Sequence, residues 1–254
     1  MTETAEIIAA DIGNTSATIA HMRGLEVVFQ FDVSSHAPVQ QVEATLREKL
    51  AGLTGRQLVI ASVNPRGLEA LEAAWANLGG GKPAVLGRDL TVPIKNGASP
   101  PERVGQDRLV NGLAACESSS GDAIVVDFGT AVSFDVVKGG VFVGGVLTPG
   151  IGLAMEALHQ KTALLPLVRP NGIKPPVIGG NTEDAINSGV YYGYIGLVNN
   201  ILRELKKTYT QAPRVFATGG YGAYLAPEID GIDEITPTLT HQGIALSWQL
   251  RSNA

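Results

Sequence analysis

The strongest constraint on the fold is a strand–turn motif that occurs twice. One apolar run ends in Asp11-Ile12-Gly13-Asn14-Thr15, and a second ends in Asp127-Phe128-Gly129-Thr130-Ala131. Each motif is followed by another apolar run, which predicts a β-hairpin with an acidic residue and a glycine at its bend. Asp127 lies 116 positions after Asp11 in a chain of 254 residues, so the sequence predicts a duplicated domain.

Composition narrows the class of protein. The chain is 44% hydrophobic and 17% charged, which is enough for a sizeable core in roughly one or two domains. Its net charge of −5 lacks the basic excess of a nucleic-acid binder, and no apolar run reaches the ~18 residues of a membrane span. One cysteine, Cys116, excludes an internal disulfide, and no signal-peptide pattern is visible. We therefore expect a cytoplasmic α/β protein without nucleic-acid or membrane partners.

Periodicity and turn residues predict the elements along the chain. Helices are expected over 39–53, 68–78, 108–116, 152–160, 183–208 and 241–250. Strands are expected over 7–10, 17–21, 27–31, 58–63, 84–86, 123–126, 131–137, 141–147 and 215–217. The proline-rich stretches 93–105 and 166–180 are predicted loops, because proline disfavours helix at itself and at its predecessor. Ser118–Gly121 is the predicted boundary, giving domains 1–117 and 118–254.

The two hairpin bends suit phosphate binding. A glycine lets backbone N–H groups approach a phosphate, threonine and asparagine add donors, and an aspartate can hold a hydrated cation. An ordinary tight turn is the alternative for each motif alone. Two such bends at half-chain spacing favour a phosphate chain held by one hairpin of each domain. Neither a P-loop pattern nor a dinucleotide-binding glycine pattern is present.

A carboxylate and a guanidinium stand together in Gly105-Gln106-Asp107-Arg108, just before a predicted helix. Asp107 could be an N-cap of that helix. It could equally accept a proton from a substrate hydroxyl while Arg108 holds an anionic group of the substrate.

Two other polar segments allow a structural and a functional interpretation. Asn181-Thr182-Glu183-Asp184 is typical of a helix start capped by Asn181 or Thr182, and a substrate hydrogen bond from Thr182 is the alternative. Thr218-Gly219-Gly220-Tyr221-Gly222 follows a strand. Its glycines indicate either close packing without a ligand or a wall against an adenine or ribose. The four histidines show no metal-binding spacing.

Taken together, these motifs resemble the type III pantothenate kinase family, which belongs to the superfamily of acetate kinase, sugar kinases, Hsp70 and actin. The resemblance extends over nearly the whole chain and includes 144–150, Gly-Gly-Val-Leu-Thr-Pro-Gly. Its most specific part is G-x-D-R at 105–108 followed, about twenty residues later, by D-x-G-T-A at 127–131.

The resemblance implies an α/β fold of two duplicated ribonuclease-H-like domains, as in actin-like ATPases, with the nucleotide in the inter-domain cleft. It implies ATP-dependent phosphorylation of pantothenate to 4'-phosphopantothenate, the first step of coenzyme A biosynthesis. Mg²⁺ would accompany ATP, and a monovalent cation, K⁺ or NH₄⁺, would assist. A homodimer with the active site near its interface is also implied.

Residue roles follow from the same resemblance. Asp107 would be the general base, and Asp127 would bind the monovalent cation. The residues expected to contact pantothenate are Gly105, Gln106, Asp107, Arg108 and Thr182. The residues expected to contact ATP are Asp11, Ile12, Gly13, Asn14, Thr15, Ser16, Ala17, Thr18, Thr130, Gly219 and Gly220.

The chain departs from the family pattern at two places. Ala17 and Thr18 stand where members often carry a basic residue, and Ala98 stands where an aromatic residue commonly lines the pantothenate site. Two alternatives therefore stay open at this point. One is a superfamily kinase that acts on another small hydroxy or acid substrate, and the other is a non-catalytic, nucleotide-binding regulatory relative.

Overall fold

A computed structural model describes residues 5–251, so the predicted domain ends at Met1 and Ala254 lie outside the described residues. The strands are β1 (Glu6–Ile12), β2 (Ser16–Arg23), β3 (Glu26–Ser34), β4 (Gln57–Ser62), β5 (Ala84–Val85), β6 (Lys95–Asn96), β7 (Ala123–Phe128), β8 (Ala131–Lys138), β9 (Val141–Pro149), β10 (Arg214–Thr218) and β11 (Glu234–Ile235). The α-helices are α1 (Val39–Lys49), α2 (Pro65–Asn77), α3 (Gln106–Glu117), α4 (Ile151–Gln160), α5 (Thr182–Lys206), α6 (Gly222–Leu225) and α7 (Leu239–Leu250). Short 3₁₀ helices cover Pro101–Arg103 and Ala226–Glu228.

The chain forms two compact units, one of residues up to Ser118 together with those from Thr238, and one of Ser119–Pro237. In the first unit the sheet order is β3-β2-β1-β4-β5. The strand β1 pairs antiparallel with β2 and parallel with β4. Alternate residues of β1, among them Ile8 and Ile12, join a core with Leu46 of α1 and Trp75 of α2. This alternation is the period-two pattern of a sheet with one face on a core.

The second unit repeats this plan. Its strands follow the order β9-β8-β7-β10-β11, with β7 antiparallel to β8 and parallel to β10. One face of the sheet packs on α4 and α5 through an apolar cluster that includes Phe128, Phe134, Met155 and Val198. The equivalent strand order confirms the duplication predicted from the two hairpins.

The helix α7 packs in the first unit, although it follows the second in sequence. It contacts α3, β1 and β4. Gly243 lies so close to Val110 of α3 that an added Cβ would overlap the Val110 carbonyl oxygen. The Thr240 hydroxyl donates to Oδ1 of buried Asn111 on α3 at 2.8 Å. The domain limits expected from the sequence differ from the compact units here, because they assign this helix to the second domain.

None of the helices within residues 5–251 combines the length and the apolar character that a bilayer crossing requires. The longest described helix, α5, has 25 residues and is too polar along its length to meet this requirement.

Candidate functional site

The first hairpin presents a polar bend above an apolar base. β1 ends at Ile12 and β2 begins at Ser16, so residues 13–15 form the connection. The Gly13 N–H donates to the Ser16 carbonyl at 3.0 Å and closes the bend. Asn14, Thr15 and Ser16 are exposed, whereas Ile12 and Ala17 are buried beneath them. The bend can therefore offer backbone and hydroxyl donors to an anion while its flanks anchor it in the core.

Residues 11 and 18 face each other across this hairpin. Asp11 is half-buried, and the Thr18 hydroxyl donates to Asp32 Oδ1 at 2.6 Å. His241 of α7 lies behind β2, with Nε2 at 3.2 Å from the Thr18 carbonyl oxygen. Burial lowers the pKa of His241, although the Thr18 carbonyl and the charge of Asp32 oppose that shift. The imidazole is therefore neutral at pH 7, and a proton on Nε2 would donate to Thr18.

The bend is also held by hydrogen bonds from residues that the sequence did not reveal. The Ser35 hydroxyl donates to the Gly13 carbonyl at 2.8 Å, and the Ser35 N–H donates to the Thr15 carbonyl at 3.1 Å. Asn64 Nδ2 lies 3.5 Å from the Asn14 carbonyl while its Oδ1 caps α2 by accepting the Gly67 N–H at 3.1 Å. Asn64 before Pro65 is a recognisable helix start, but no local pattern identifies Ser35 as an anchor of the bend.

The second hairpin has a shorter bend. β7 continues to Phe128, so Asp127 lies in the strand, and the predicted turn over 127–130 is in fact confined to Gly129 and Thr130. The Gly150 N–H donates to the Thr130 carbonyl at 2.9 Å. An added Cβ on Gly150 would overlap the carbonyl oxygens of Gly129 and Thr130. The start of α4 therefore packs directly against this bend and fixes the position of Thr130. Thr130 is exposed.

The two glycines after β10 differ in their surroundings. Gly219 has φ +88°, and an added Cβ would overlap Asp127 Oδ1 and lie 2.6 Å from the Phe128 nitrogen. Gly220 is exposed, and an added Cβ there would meet no atom within 4 Å. Close packing therefore explains Gly219, and it does not explain Gly220. The backbone at 219 passes beside the Asp127 carboxylate, so these residues form one small cluster.

Asp107 is not the N-cap of α3. Gly105 occupies that position and the helix begins at Gln106, so the capping interpretation is wrong. Oδ1 of Asp107 instead accepts the backbone N–H of Arg108 at 2.8 Å, and an added Cβ on Gly105 would overlap this same oxygen. The absence of a side chain at residue 105 leaves room for the carboxylate.

The surroundings of the Asp107 carboxyl favour its protonated form. Burial raises its pKa above the usual range of aspartate, and the backbone N–H and positive charge of Arg108 oppose that rise. A raised pKa makes the ionised carboxylate a stronger base at neutral pH.

In the first unit, the start of α3 lies near the first hairpin. An added Cβ on Gly105 would lie 3.2 Å from Cγ1 of Val63, and the Val63 N–H donates to the Ile12 carbonyl at 3.0 Å. Asp107 and the hairpin bend are therefore joined through the residue that follows β4. This neighbourhood lies at the carboxyl ends of the parallel strands β1 and β4, the edge where open α/β sheets bind ligands.

The predicted cap of α5 is confirmed, because Asn181 Oδ1 accepts the Asp184 N–H at 2.9 Å. Thr182 is the exposed first residue of that helix. A role for Thr182 toward the same substrate as Asp107 stays a prediction.

In the first unit, Ala98 is half-buried, and its N–H donates to Asn96 Oδ1 at 3.0 Å within the proline-rich loop.

A complete protein-made metal centre is not found among residues 5–251, where no group of three or more His, Cys, Asp or Glu side chains could hold an ion. Asp11 and Asp127 each place one carboxylate at the end of a strand. Mg²⁺ commonly binds through one or two carboxylates together with substrate phosphates and water. Carboxylate oxygens at these positions fit a cation that arrives with a phosphorylated ligand.

The chain as a whole is similar to known proteins. The family model described as "Type III pantothenate kinase" matches residues 7–204. A type III pantothenate kinase of Dehalococcoides mccartyi is 34% identical, with the alignment covering 96% of this chain and 98% of that protein.

Two solved structures are similar in fold over 98% of this chain and all of theirs. A Campylobacter jejuni protein described as a Baf family transcriptional activator is 20% identical with a TM-score of 0.62. A Sinorhizobium meliloti protein described as a 2-dehydro-3-deoxygalactonokinase is 12% identical with a TM-score of 0.57. These likenesses confirm the predicted α/β fold of two ribonuclease-H-like domains.

Proposed function

Because the chain belongs to the type III pantothenate kinase family, we propose that it transfers the γ-phosphoryl group of ATP to pantothenate and forms 4'-phosphopantothenate for coenzyme A biosynthesis. Membership of the family confirms the resemblance seen in the motifs, and it makes the protein a kinase that uses ATP, typically with Mg²⁺. The observation that carries the proposal is the near full-length match to relatives of that name. We also propose that the reaction takes place in the cytoplasm, without nucleic-acid or membrane partners.

Asp107 is the general base of the proposed reaction. Its carboxylate accepts the proton of the primary hydroxyl of pantothenate, and that oxygen attacks the γ-phosphorus in line as ADP leaves. Burial of Asp107 supports this role, because a base with a raised pKa takes up the proton more readily. Arg108 would hold the pantothenate carboxylate, and the remaining proposed contacts to pantothenate are Gly105, Gln106 and Thr182.

The ATP contacts are proposed on the two hairpin bends and the glycines after β10. Backbone N–H groups at such bends stabilise charge on phosphate oxygens without reorganising during the reaction. The open space at Gly220 supports a ligand contact, because packing does not require a glycine there. The proposed ATP-binding residues are Asp11, Ile12, Gly13, Asn14, Thr15, Ser16, Ala17, Thr18, Thr130, Gly219 and Gly220.

Cations would complete the charge balance of phosphoryl transfer. Mg²⁺ bound with ATP supplies charge neutralisation on the phosphates. We propose that Asp127 holds a monovalent cation, K⁺ or NH₄⁺. Its half-buried carboxylate, beside the backbone of Gly219, offers the oxygen ligands that such a cation takes.

The test is ADP formation from MgATP with and without pantothenate, run in potassium and again in sodium. We expect turnover that requires pantothenate and is faster in potassium. Asp127→Ala should remove the difference between the two salts, while Asp122→Ala, an aspartate whose Oδ1 accepts the Gly139 N–H, should keep it. Equal rates of the parent chain in both salts would refute the cation role. ATP binding without pantothenate turnover would favour a kinase for another substrate or a regulatory relative.

We propose a homodimer, with the active site near its interface. Support comes from large apolar side chains of the second unit that are exposed on β9, on α4 and in the loop before α5. They are Val143, Leu147, Leu153, Leu164, Leu167, Ile173, Val177 and Ile178. We propose that they form one apolar surface, since contiguous exposed apolar patches mark interaction sites.

A charge on this apolar surface should separate the subunits. Leu147 is 58% exposed on β9, and Leu147→Asp would place a carboxylate in the interface at a high desolvation cost. Light scattering should give the parent chain twice the 26.5 kDa of one subunit, and the variant a single subunit. Leu25→Asp, at a leucine 42% exposed in the first unit, is the control that should stay dimeric. A dimeric Leu147→Asp variant would place the interface elsewhere.

A further inference from the structure

Ser35 is a buried residue that contacts the bend of the first hairpin twice. Only 5% of it is exposed. Its hydroxyl donates to the Gly13 carbonyl and its N–H to the Thr15 carbonyl, at 2.8 and 3.1 Å. The carbonyls of Gly13 and Thr15 therefore point inward to buried Ser35, away from the exposed side of the bend.

The direction of a carbonyl fixes the direction of the next N–H. In a trans peptide the C=O and N–H groups lie in one plane and point to opposite sides. The inward Gly13 carbonyl therefore turns the Asn14 N–H outward, and the inward Thr15 carbonyl turns the Ser16 N–H outward. Outward N–H groups at a bend can donate hydrogen bonds to an anion.

We propose that Ser35 is a positioning residue, which orients the amides of Asn14 and Ser16 toward the phosphates of the nucleotide. The inference rests on the proposed function, since it assumes that this bend contacts ATP. Ser35 touches neither substrate, because it lies beneath the bend. Its effect reaches the phosphates only through the two peptide planes.

The helix α2 packs against Ser35. Gly67, in the first turn of that helix, lies beside it, since an added Cβ would be at ordinary contact distance, 3.4 Å from the Ser35 carbonyl oxygen and 3.5 Å from its Cβ. Gly67 also donates its N–H to the Asn64 side chain, whose Nδ2 approaches the Asn14 carbonyl. Ser35 and the N-cap of α2 therefore contact, between them, the three consecutive carbonyls of the bend.

The neighbouring serine provides a matched control. Ser34 is exposed, and its Oγ accepts the His36 N–H at 3.2 Å, which is a local turn contact. The two serines are adjacent in sequence, yet only the hydroxyl of Ser35 contacts a carbonyl of the bend.

The test compares nucleotide affinity, by titration calorimetry with ADP and with a non-hydrolysable ATP analogue, in Ser35→Ala, Ser35→Cys and Ser34→Ala. We expect Ser35→Ala to weaken binding by up to about tenfold, because nucleotide binding must then order the released Gly13–Asn14 peptide, and the lost hydrogen bond sets the upper limit of that cost. Cysteine, a weaker donor of similar shape, should give an intermediate affinity. Ser34→Ala should bind like the parent chain, and the KM for pantothenate should be the same in all four proteins.

Unchanged nucleotide affinity in Ser35→Ala, with or without a lower melting temperature, would overturn the inference and leave Ser35 a purely structural residue. A different result would refute the proposed function. If the parent chain binds nucleotide but does not phosphorylate pantothenate, while Ser35→Ala still weakens binding, the substrate assignment falls and the positioning role stands. A parent chain that binds no nucleotide would refute both.

Discussion

Asp107→Asn is expected to lower kcat for pantothenate phosphorylation by at least about 100-fold, the usual scale of general-base catalysis. The asparagine side chain keeps the shape of aspartate and can still accept the Arg108 N–H at Oδ1. It cannot take a proton from the substrate hydroxyl. Steady-state rates at saturating MgATP and pantothenate measure the effect.

The same variant should not be less stable at neutral pH. Burial raises the folded-state pKa of Asp107, so the folded protein favours the protonated carboxyl. Its contribution to stability is present at low pH and is lost as the pH rises through the folded-state pKa. At pH 7 the ionised group therefore costs stability, and a neutral asparagine removes that cost. The melting temperature should stay equal or rise, which separates lost chemistry from lost folding.

Asp89→Asn is the matched control for Asp107→Asn. Asp89 is exposed, and Oδ2 accepts the Val85 N–H at 3.1 Å and contacts Arg88. Its replacement should leave kcat unchanged. A kcat near the parent value in Asp107→Asn would instead show that another group accepts the proton or that none is needed.

Gly243→Val is expected to lower the free energy of unfolding by about 3 kcal/mol or more, at the upper end of overpacking effects. The reason is the close approach of α7 to α3, where any Cβ at residue 243 would overlap the Val110 carbonyl oxygen. The helices would have to separate, and the buried hydrogen bond between Thr240 and Asn111 would lengthen or break. Urea denaturation followed by circular dichroism measures the change.

A glycine in open space tests whether the effect belongs to the helix contact. Gly189 lies inside α5, and an added Cβ there would meet nothing within 4 Å. Valine and glycine differ little in helix propensity, so Gly189→Val should stay within about 1 kcal/mol of the parent chain. Equal stability of the two variants would mean that α7 can shift away from α3 at little cost.

Some of the site was predictable because its signals are local. Both hairpin bends consist of residues that favour turns next to apolar strands, and both hairpins form, although the second bend is shorter than predicted. A cap of α5 was predicted at Asn181 or Thr182, before an acidic first turn, and Asn181 is that cap. The cap of α3 was predicted at Asp107 and is Gly105 instead, because a glycine and an aspartate two residues apart are both acceptable at that position.

The sequence by itself determined the duplicated hairpins, most helices and the family motifs, since periodicity and turn preference depend on neighbouring residues. Only the tertiary structure decided that α7 joins the first unit, that close packing requires Gly219 but not Gly220, and that Ser35 holds the first bend. The Ser35–Gly13 contact joins residues 22 apart, and those of Asn111 with Thr240 and Thr18 with His241 span 129 and 223 positions. Contacts at such separations arise from the packing of whole elements, which no local preference encodes.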